Sequence, residues 1–127
     1  MAWVLVEREQ FVRMCEKLGV SSTVRDAIKV WAPSVKRCEA PRQKLIYRTK
    51  NNRYEAWSAG IPNPDANRGK SGGYRIVFFL DLEESTLNID FIEERDHLGF
   101  REEGDRKKQK YNAYVAEVKK ELARRDP

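Results

Sequence analysis

The residues best suited to chemistry are three basic side chains, Arg68, Lys70 and Arg75, at the end of the segment Ile61 to Arg75. This segment reads IPNPDANRGKSGGYR, and its glycines let a ligand approach the backbone closely. Guanidinium and ammonium groups bind phosphate through charge-assisted hydrogen bonds. A partner that carries phosphate is therefore the first hypothesis for this segment.

The tripeptide Gly-Lys-Ser in the same segment suggests a nucleotide-binding P-loop, but the surrounding sequence argues against one. A P-loop needs a glycine five residues before Gly69, where this chain has Pro64, and a helix directly afterwards. The residues that follow, Ile76 to Leu80, form an unbroken apolar run rich in β-formers. This run predicts a strand covered on both faces, so the P-loop interpretation is set aside.

The excess of positive charge is concentrated around this segment. The chain has 25 basic and 20 acidic residues, a net charge of +5. Between Arg42 and Arg75 there are eight basic and two acidic residues, so this stretch alone carries +6. A charge excess confined to one stretch predicts a local anion-binding site. Arg75 could also be a strand-end arginine paired with a carboxylate, and Arg68 and Lys70 could be solvated.

Proton transfer and metal binding depend on few candidates. His97 is the only histidine, and an imidazole at the end of a strand could act as a general acid or base, although a surface position is the plainer interpretation. No second histidine or closely spaced cysteine pair offers metal-ligand spacing. We therefore expect no metal site.

Periodicity predicts the elements that position these residues. Within residues 1–40, the apolar run Trp3 to Val6 predicts a strand, and two amphipathic helices follow it. Residues 43–97 predict the sheet: a short hairpin precedes Tyr74 to Leu82 and Leu87 to Phe91, which should pair antiparallel. A stripe of apolar residues predicts a final helix over 104–124.

The expected fold class is therefore α+β. We expect a single domain over residues 1–127, with a small antiparallel sheet, two N-terminal helices and a C-terminal helix, in the order β-α-α-β-β-β-α. Cys15 and Cys38 lack CxxC spacing and are expected to be reduced. No apolar stretch approaches the length of a membrane span, so a cytoplasmic location is expected, without membrane binding.

Residues 61 to 79, IPNPDANRGKSGGYRIVFF, closely resemble the hallmark segment of RelE-type toxins of the RelE/ParE toxin–antitoxin superfamily. In that family a similar loop leads into a strand that begins with a functional arginine. The resemblance implies a small α+β toxin that enters the ribosomal A site and cleaves mRNA as an endoribonuclease that requires no metal or cofactor. It also implies a cognate antitoxin that neutralises the toxin, and DNA association through that antitoxin.

The resemblance gives each candidate residue a role. Arg75 matches the strand-start arginine and would hold the scissile phosphate, and Arg68 and Lys70 match the basic loop. Arg95 falls near the basic residue that follows the next strand. His97 is a candidate proton donor. Phe100 and Tyr111 are further candidates for the C-terminal tyrosine that some members use.

The chain also departs from the family pattern, and the departures define an alternative. Glu55 and Trp57 occupy strand positions where many members have basic residues, and Glu93 and Glu94 occupy the basic position after Ile92. A carboxylate in a phosphate site repels substrate unless it acts as a base. The alternative functions are a non-cleaving relative, a ParE-like gyrase inhibitor, or a general RNA-binding protein.

Overall fold

The computed structural model describes residues 2–40, 42–62, 73–94 and 101–125, except for the side chains of 101–108. Its elements, in chain order, are β1 (Val4–Glu7), α1 (Glu9–Leu18), α2 (Ser22–Trp31), a 3-10 turn (Ala32–Ser34), β2 (Gln43–Arg48), β3 (Tyr54–Ile61), β4 (Tyr74–Asp81), β5 (Thr86–Glu94) and α3 (Arg101–Arg124). The predicted α+β class is confirmed.

The sheet differs from the expected one in two respects. Its five strands lie in the order β1-β5-β4-β3-β2, and β1 runs parallel to β5, so the sheet is mixed and the prediction of an antiparallel sheet was wrong. In the described part of the chain, four strands follow the two helices, whereas the expected order β-α-α-β-β-β-α has three. The additional strand arises because both arms of the predicted hairpin, β2 and β3, belong to the sheet. The predicted antiparallel pairing of β4 with β5 is confirmed.

The N-terminal helices begin and end at residues that suit their positions. Gly19 ends α1 with a φ of 66°, a left-handed conformation that glycine adopts without steric cost. The Ser21 side chain caps α2 by accepting a hydrogen bond from the backbone N–H of Val24. After α2, Pro33 lies in the 3-10 turn and ends the helical segment.

Strand β4 is apolar on both sides because both faces of the sheet are covered. Ile76, Phe78 and Leu80 point to the core beneath α1 and α2. Val77 and Phe79 point to the opposite face, where they join a second cluster covered by α3. The unbroken apolar run of the sequence is thereby explained, since alternate residues enter two different cores.

Helix α3 is held against the sheet by apolar and charged contacts. Val118 and Leu122 are buried in the second cluster. Near the C-terminal end of α3, Glu121 accepts hydrogen bonds from Arg8 at 3.1 Å and from Arg125 at 2.8 Å. The helix begins at Arg101, three residues before the expected start at 104, and ends at the expected residue.

The two cysteines occupy different environments. Cys15 is buried on α1, and Cys38 is exposed in the segment that follows the 3-10 turn. Both thiols are free. No helix in the described ranges is long and apolar enough to cross a bilayer.

Candidate functional site

The structure describes one of the five site residues predicted from the sequence. Arg75 lies at the start of β4. Arg68, Lys70, Arg95 and His97 lie outside the described residues, and so does Phe100. Arg75 is therefore the centre of the candidate site.

The side chain of Arg75 lies on the face of the sheet that α3 covers. Its strand neighbour Val77, two residues along, belongs to that face. On β3, Gly60 is the residue in register with Arg75, and without a side chain it leaves room beside the arginine. Nη1 of Arg75 donates a hydrogen bond to Oγ of Ser58 at 2.9 Å. Arg75 is therefore anchored across the strand pair by a serine.

The same serine also contacts a tyrosine from α3. The hydroxyl of Tyr111 donates to Oγ of Ser58 at 2.9 Å. The Tyr111 ring packs edge-on against Phe91, with ring centroids 5.9 Å apart, and Cζ of Arg75 lies 6.0 Å from the Tyr111 ring centroid. Ser58 is 1% exposed, so one buried hydroxyl joins a strand arginine to a helix tyrosine.

A carboxylate and an ammonium complete this group of side chains. Glu93 on β5 is in register with Arg75 and is only 3% exposed. Its Oε2 lies 3.8 Å from Nζ of Lys110, and its Oε1 accepts a hydrogen bond from the backbone N–H of Glu94 at 3.0 Å. We call the side chains of Ser58, Arg75, Glu93, Lys110 and Tyr111 the Arg75 cluster.

Glu55 lies on the opposite face of the sheet, away from the Arg75 cluster. Its register partner Leu80 belongs to the core beneath α1 and α2. Its carboxylate accepts hydrogen bonds from Arg37 at 2.6 and 3.0 Å, from Arg48 at 2.9 Å and from the Trp57 indole at 3.2 Å. A carboxylate with these partners on that face is a structural group, so Glu55 does not repel a ligand at Arg75.

The electrostatics of Glu55 fit this structural role. Burial alone would raise the pKa of Glu55, but the hydrogen bonds from Arg37, Trp57 and Arg48 outweigh it and hold the pKa below its usual value. Glu94 is also directed away from the cluster, because its register partner Tyr74 packs in the core beneath α1 and α2. Of Glu55, Glu93 and Glu94, only Glu93 faces Arg75.

A second tyrosine of α3 has a different environment from Tyr111. Tyr114 packs against Phe91 with ring centroids 4.5 Å apart, and its hydroxyl is buried. Burial and the neighbouring Asp90 carboxylate raise the pKa of Tyr114 well above its ordinary value. Tyr114 therefore stays neutral and serves the packing of α3.

Sequence reasoning missed three members of the Arg75 cluster in this role. Ser58 is a small hydroxyl residue in a strand whose only charged residue is Glu55, and Lys110 belongs to a basic run that resembles a solvated helix face. Glu93 was expected only as a departure from a family pattern. The signal that could have identified Ser58 and Glu93 is strand alternation, which puts them on the same face as Arg75 once the strand pairing is known.

The Arg75 cluster can bind an oxyanion and transfer a proton. The Arg75 guanidinium and the Lys110 ammonium offer donors and positive charge, and a tyrosine hydroxyl held through Ser58 offers an exchangeable proton. Comparisons of the chain with protein-family models, with curated proteins and with solved structures found no match.

Proposed function

We propose that this protein is a RelE-type toxin that cleaves mRNA on the ribosome without a metal ion, with the Arg75 cluster as its catalytic centre. The observation that carries the proposal is the hydrogen-bonded arrangement of Arg75, Ser58 and Tyr111 at the strand junction that resembles the family. The α+β fold, with β4 beginning directly after the glycine-rich segment, is compatible with this assignment.

The proposed reaction is attack by a ribose 2′-oxygen on the adjacent phosphorus. The new bond joins the 2′-oxygen to phosphorus, and the bond from phosphorus to the 5′-oxygen breaks, which leaves a 2′,3′-cyclic phosphate and a 5′-hydroxyl. The 2′-hydroxyl proton passes to solvent, and Tyr111 or His97 donates the proton that the departing 5′-oxygen takes. Arg75 stabilises the negative charge that develops on the phosphate oxygens.

The remaining residues and partners of the proposal follow from the same assignment. Arg68, Lys70 and Arg95 support Arg75 electrostatically at the phosphate. The basic stretch from Arg42 to Arg75, with its net charge of +6, attracts RNA by long-range electrostatics. We further propose a cytoplasmic location, neutralisation by a cognate antitoxin, and DNA association through that antitoxin.

A non-cleaving binding protein of the same superfamily is the second candidate, and the position of Glu93 favours it. A buried carboxylate in register with Arg75 places negative charge near the proposed phosphate. A gyrase inhibitor or an attenuated toxin would tolerate this charge, since neither transfers a phosphoryl group. A DNA supercoiling assay separates gyrase inhibition from the other outcomes.

Expression in a bacterial host without an antitoxin tests the proposal. We expect growth arrest, with transcript 5′ ends mapping within codons of translated messages. Arg75→Ala should relieve the arrest, and Lys119→Ala, an exposed lysine of α3, is the matched control and should remain toxic. Growth arrest with intact transcripts and inhibited supercoiling would instead support the gyrase inhibitor.

A further inference from the structure

We propose that Glu93 is an internal counter-anion that competes with RNA phosphate for Lys110, so that Lys110 is a second phosphate-binding cation and Glu93 limits the affinity for RNA. This inference rests on the proposed function, because it assumes that RNA phosphate binds at Arg75. It assigns a binding role to the middle of α3 and explains why a carboxylate lies in a basic site.

The geometry brings the two cations to one carboxylate. Arg75 and Glu93 are register partners on neighbouring strands, so their backbones are about 5 Å apart. Lys110 reaches Glu93 from α3 at 3.8 Å, and the next residue along the helix, Tyr111, contacts the Ser58 hydroxyl that Arg75 also contacts. A phosphate held by Arg75 therefore lies within reach of the Lys110 ammonium.

Glu55 and Glu93, both buried in the sheet, differ in how closely the cations among the described residues approach them. Glu55 receives guanidinium hydrogen bonds of 2.6 to 3.0 Å from Arg37 and Arg48. The Lys110 ammonium lies 3.8 Å from Glu93, beyond hydrogen-bonding distance, and the Lys110 side chain is 53% exposed. A half-exposed lysine at this distance can turn towards a second anion at little cost, whereas the arginines on Glu55 cannot.

Charge arithmetic gives the direction of each effect. Among the described side chains of the Arg75 cluster, ionised Glu93 reduces the charge of Arg75 and Lys110 from +2 to +1. Neutralising Glu93 adds one unit of positive charge to this sum and frees Lys110 from its attraction, whereas removing Lys110 subtracts one unit. RNA binding should therefore tighten in the first variant and weaken in the second.

Binding of a fluorescein-labelled, single-stranded 2′-O-methyl RNA oligonucleotide tests the inference by fluorescence anisotropy at several salt concentrations. This RNA lacks the attacking hydroxyl, so binding is measured without cleavage. We expect Glu93→Gln to lower Kd about fivefold and Lys110→Ala to raise it about fivefold. The slope of log Kd against log salt should fall by about 0.7 in Lys110→Ala, as for one lost phosphate contact.

The double variant and two controls give the test its specificity. If Glu93 acts through Lys110, Glu93→Gln should have little effect in the Lys110→Ala background. Glu94→Gln, whose side chain belongs to the opposite face, and Lys119→Ala, an exposed lysine further along α3, should bind like wild type. Thermal melting of each variant verifies that it is folded.

The outcomes separate this inference from the proposed function. The counter-anion role is wrong if Lys110→Ala has the same Kd for RNA as Lys119→Ala, or if Glu93→Gln has the same Kd as Glu94→Gln. The proposed function stands in either case as long as Arg75→Ala weakens RNA binding. If Arg75→Ala binds RNA as tightly as wild type, the RNA site itself is misplaced and both fall.

Discussion

The guanidinium of Arg75 and the hydroxyl of Tyr111 meet at one atom, the buried Oγ of Ser58, each at 2.9 Å. Arg75 belongs to β4 and Tyr111 to α3, so this contact joins the sheet to the helix that covers it. Because Ser58 is almost completely buried, the positions of both side chains are set by the packing around it. Arg75 and Tyr111 are therefore coupled through a single buried hydroxyl.

Tyr111→Phe should lower the rate of mRNA cleavage while leaving the protein stable. The substitution keeps the ring that packs on Phe91 and removes only the hydroxyl. As the loss of a general acid, it should reduce kcat by about 10²-fold, with a much smaller change in KM. Single-turnover cleavage on programmed ribosomes measures the rate. Tyr114→Phe is the matched control, and equal losses in the two variants would argue against proton transfer by Tyr111.

Ser58→Ala should impair the same step through the positions of its neighbours. It leaves Nη1 of Arg75 and the hydroxyl of Tyr111 without this hydrogen bond, at a cost of about 1–2 kcal/mol in the free energy of unfolding. Because Ser58 and Tyr111 act as one unit, the losses of Ser58→Ala and Tyr111→Phe should not add in the double variant. Kinetics of the two single variants and the double variant measure this coupling, and additive losses would show that the two residues act separately.

Leu122→Ala should disturb the site from a distance by loosening α3. Leu122 is fully buried on the side of α3 that packs against the sheet, and truncation of a buried leucine costs about 2–5 kcal/mol. Tyr111 belongs to the same helix, so cleavage should fall along with the melting temperature. Lys119→Ala, exposed on the same helix, should change neither. Full activity in a folded but strongly destabilised Leu122→Ala would contradict a role for α3 in holding Tyr111.

Glu55→Gln should change stability and its pH dependence without changing the activity of the folded protein. Glu55 is fully buried, but Arg37 and Arg48 are each 47% exposed, so solvent screens these ion pairs and they stabilise the fold less than fully buried pairs would. We expect them to contribute about 2 kcal/mol to the free energy of unfolding at neutral pH. The folded-state pKa of Glu55 lies below its ordinary value near 4.5, so this stabilisation is present above about pH 5 and is lost as the pH falls through the folded-state pKa.

Urea denaturation of wild type and Glu55→Gln between pH 7 and pH 3 measures this difference. The gap in unfolding free energy should be largest near neutrality and should narrow as the pH falls below 4.5. Asp81 also has a pKa below its ordinary value, because hydrogen bonds from Arg53 and two backbone N–H groups outweigh the effect of burial. Both proteins contain Asp81, so its contribution to the pH dependence cancels in the difference between their unfolding free energies. A gap that widens in acid would contradict the assigned sign.

The strands that carry the site were predictable because their patterns are local. Leu87, Ile89 and Phe91 alternate with polar residues, and the run from Ile76 to Leu80 has the composition of a strand covered on both faces. The position of Arg75 at the start of β4 follows from these two observations.

The pairing of strands was not predictable from the same patterns. Nothing in the residues of β1 specifies that it lies parallel to β5, because periodicity reports which face a residue occupies and not which strand lies beside it. The contact of Ser58 with Tyr111 depends on where α3 docks, which is set by buried residues such as Leu122. The partners of Glu55 were missed for a similar reason, since Arg37 comes from a segment without a regular pattern.

The most direct test of the central claim is cleavage of an mRNA positioned in the ribosomal A site. Wild type and Arg75→Ala are compared in a purified system that contains only the metal ions that the ribosome requires. Wild type should cut the message within the A-site codon and leave a 2′,3′-cyclic phosphate, and Arg75→Ala should be slower by about 10²–10³-fold while remaining folded at the assay temperature. An intact message with wild-type protein, or equal cleavage by Arg75→Ala, would contradict the account.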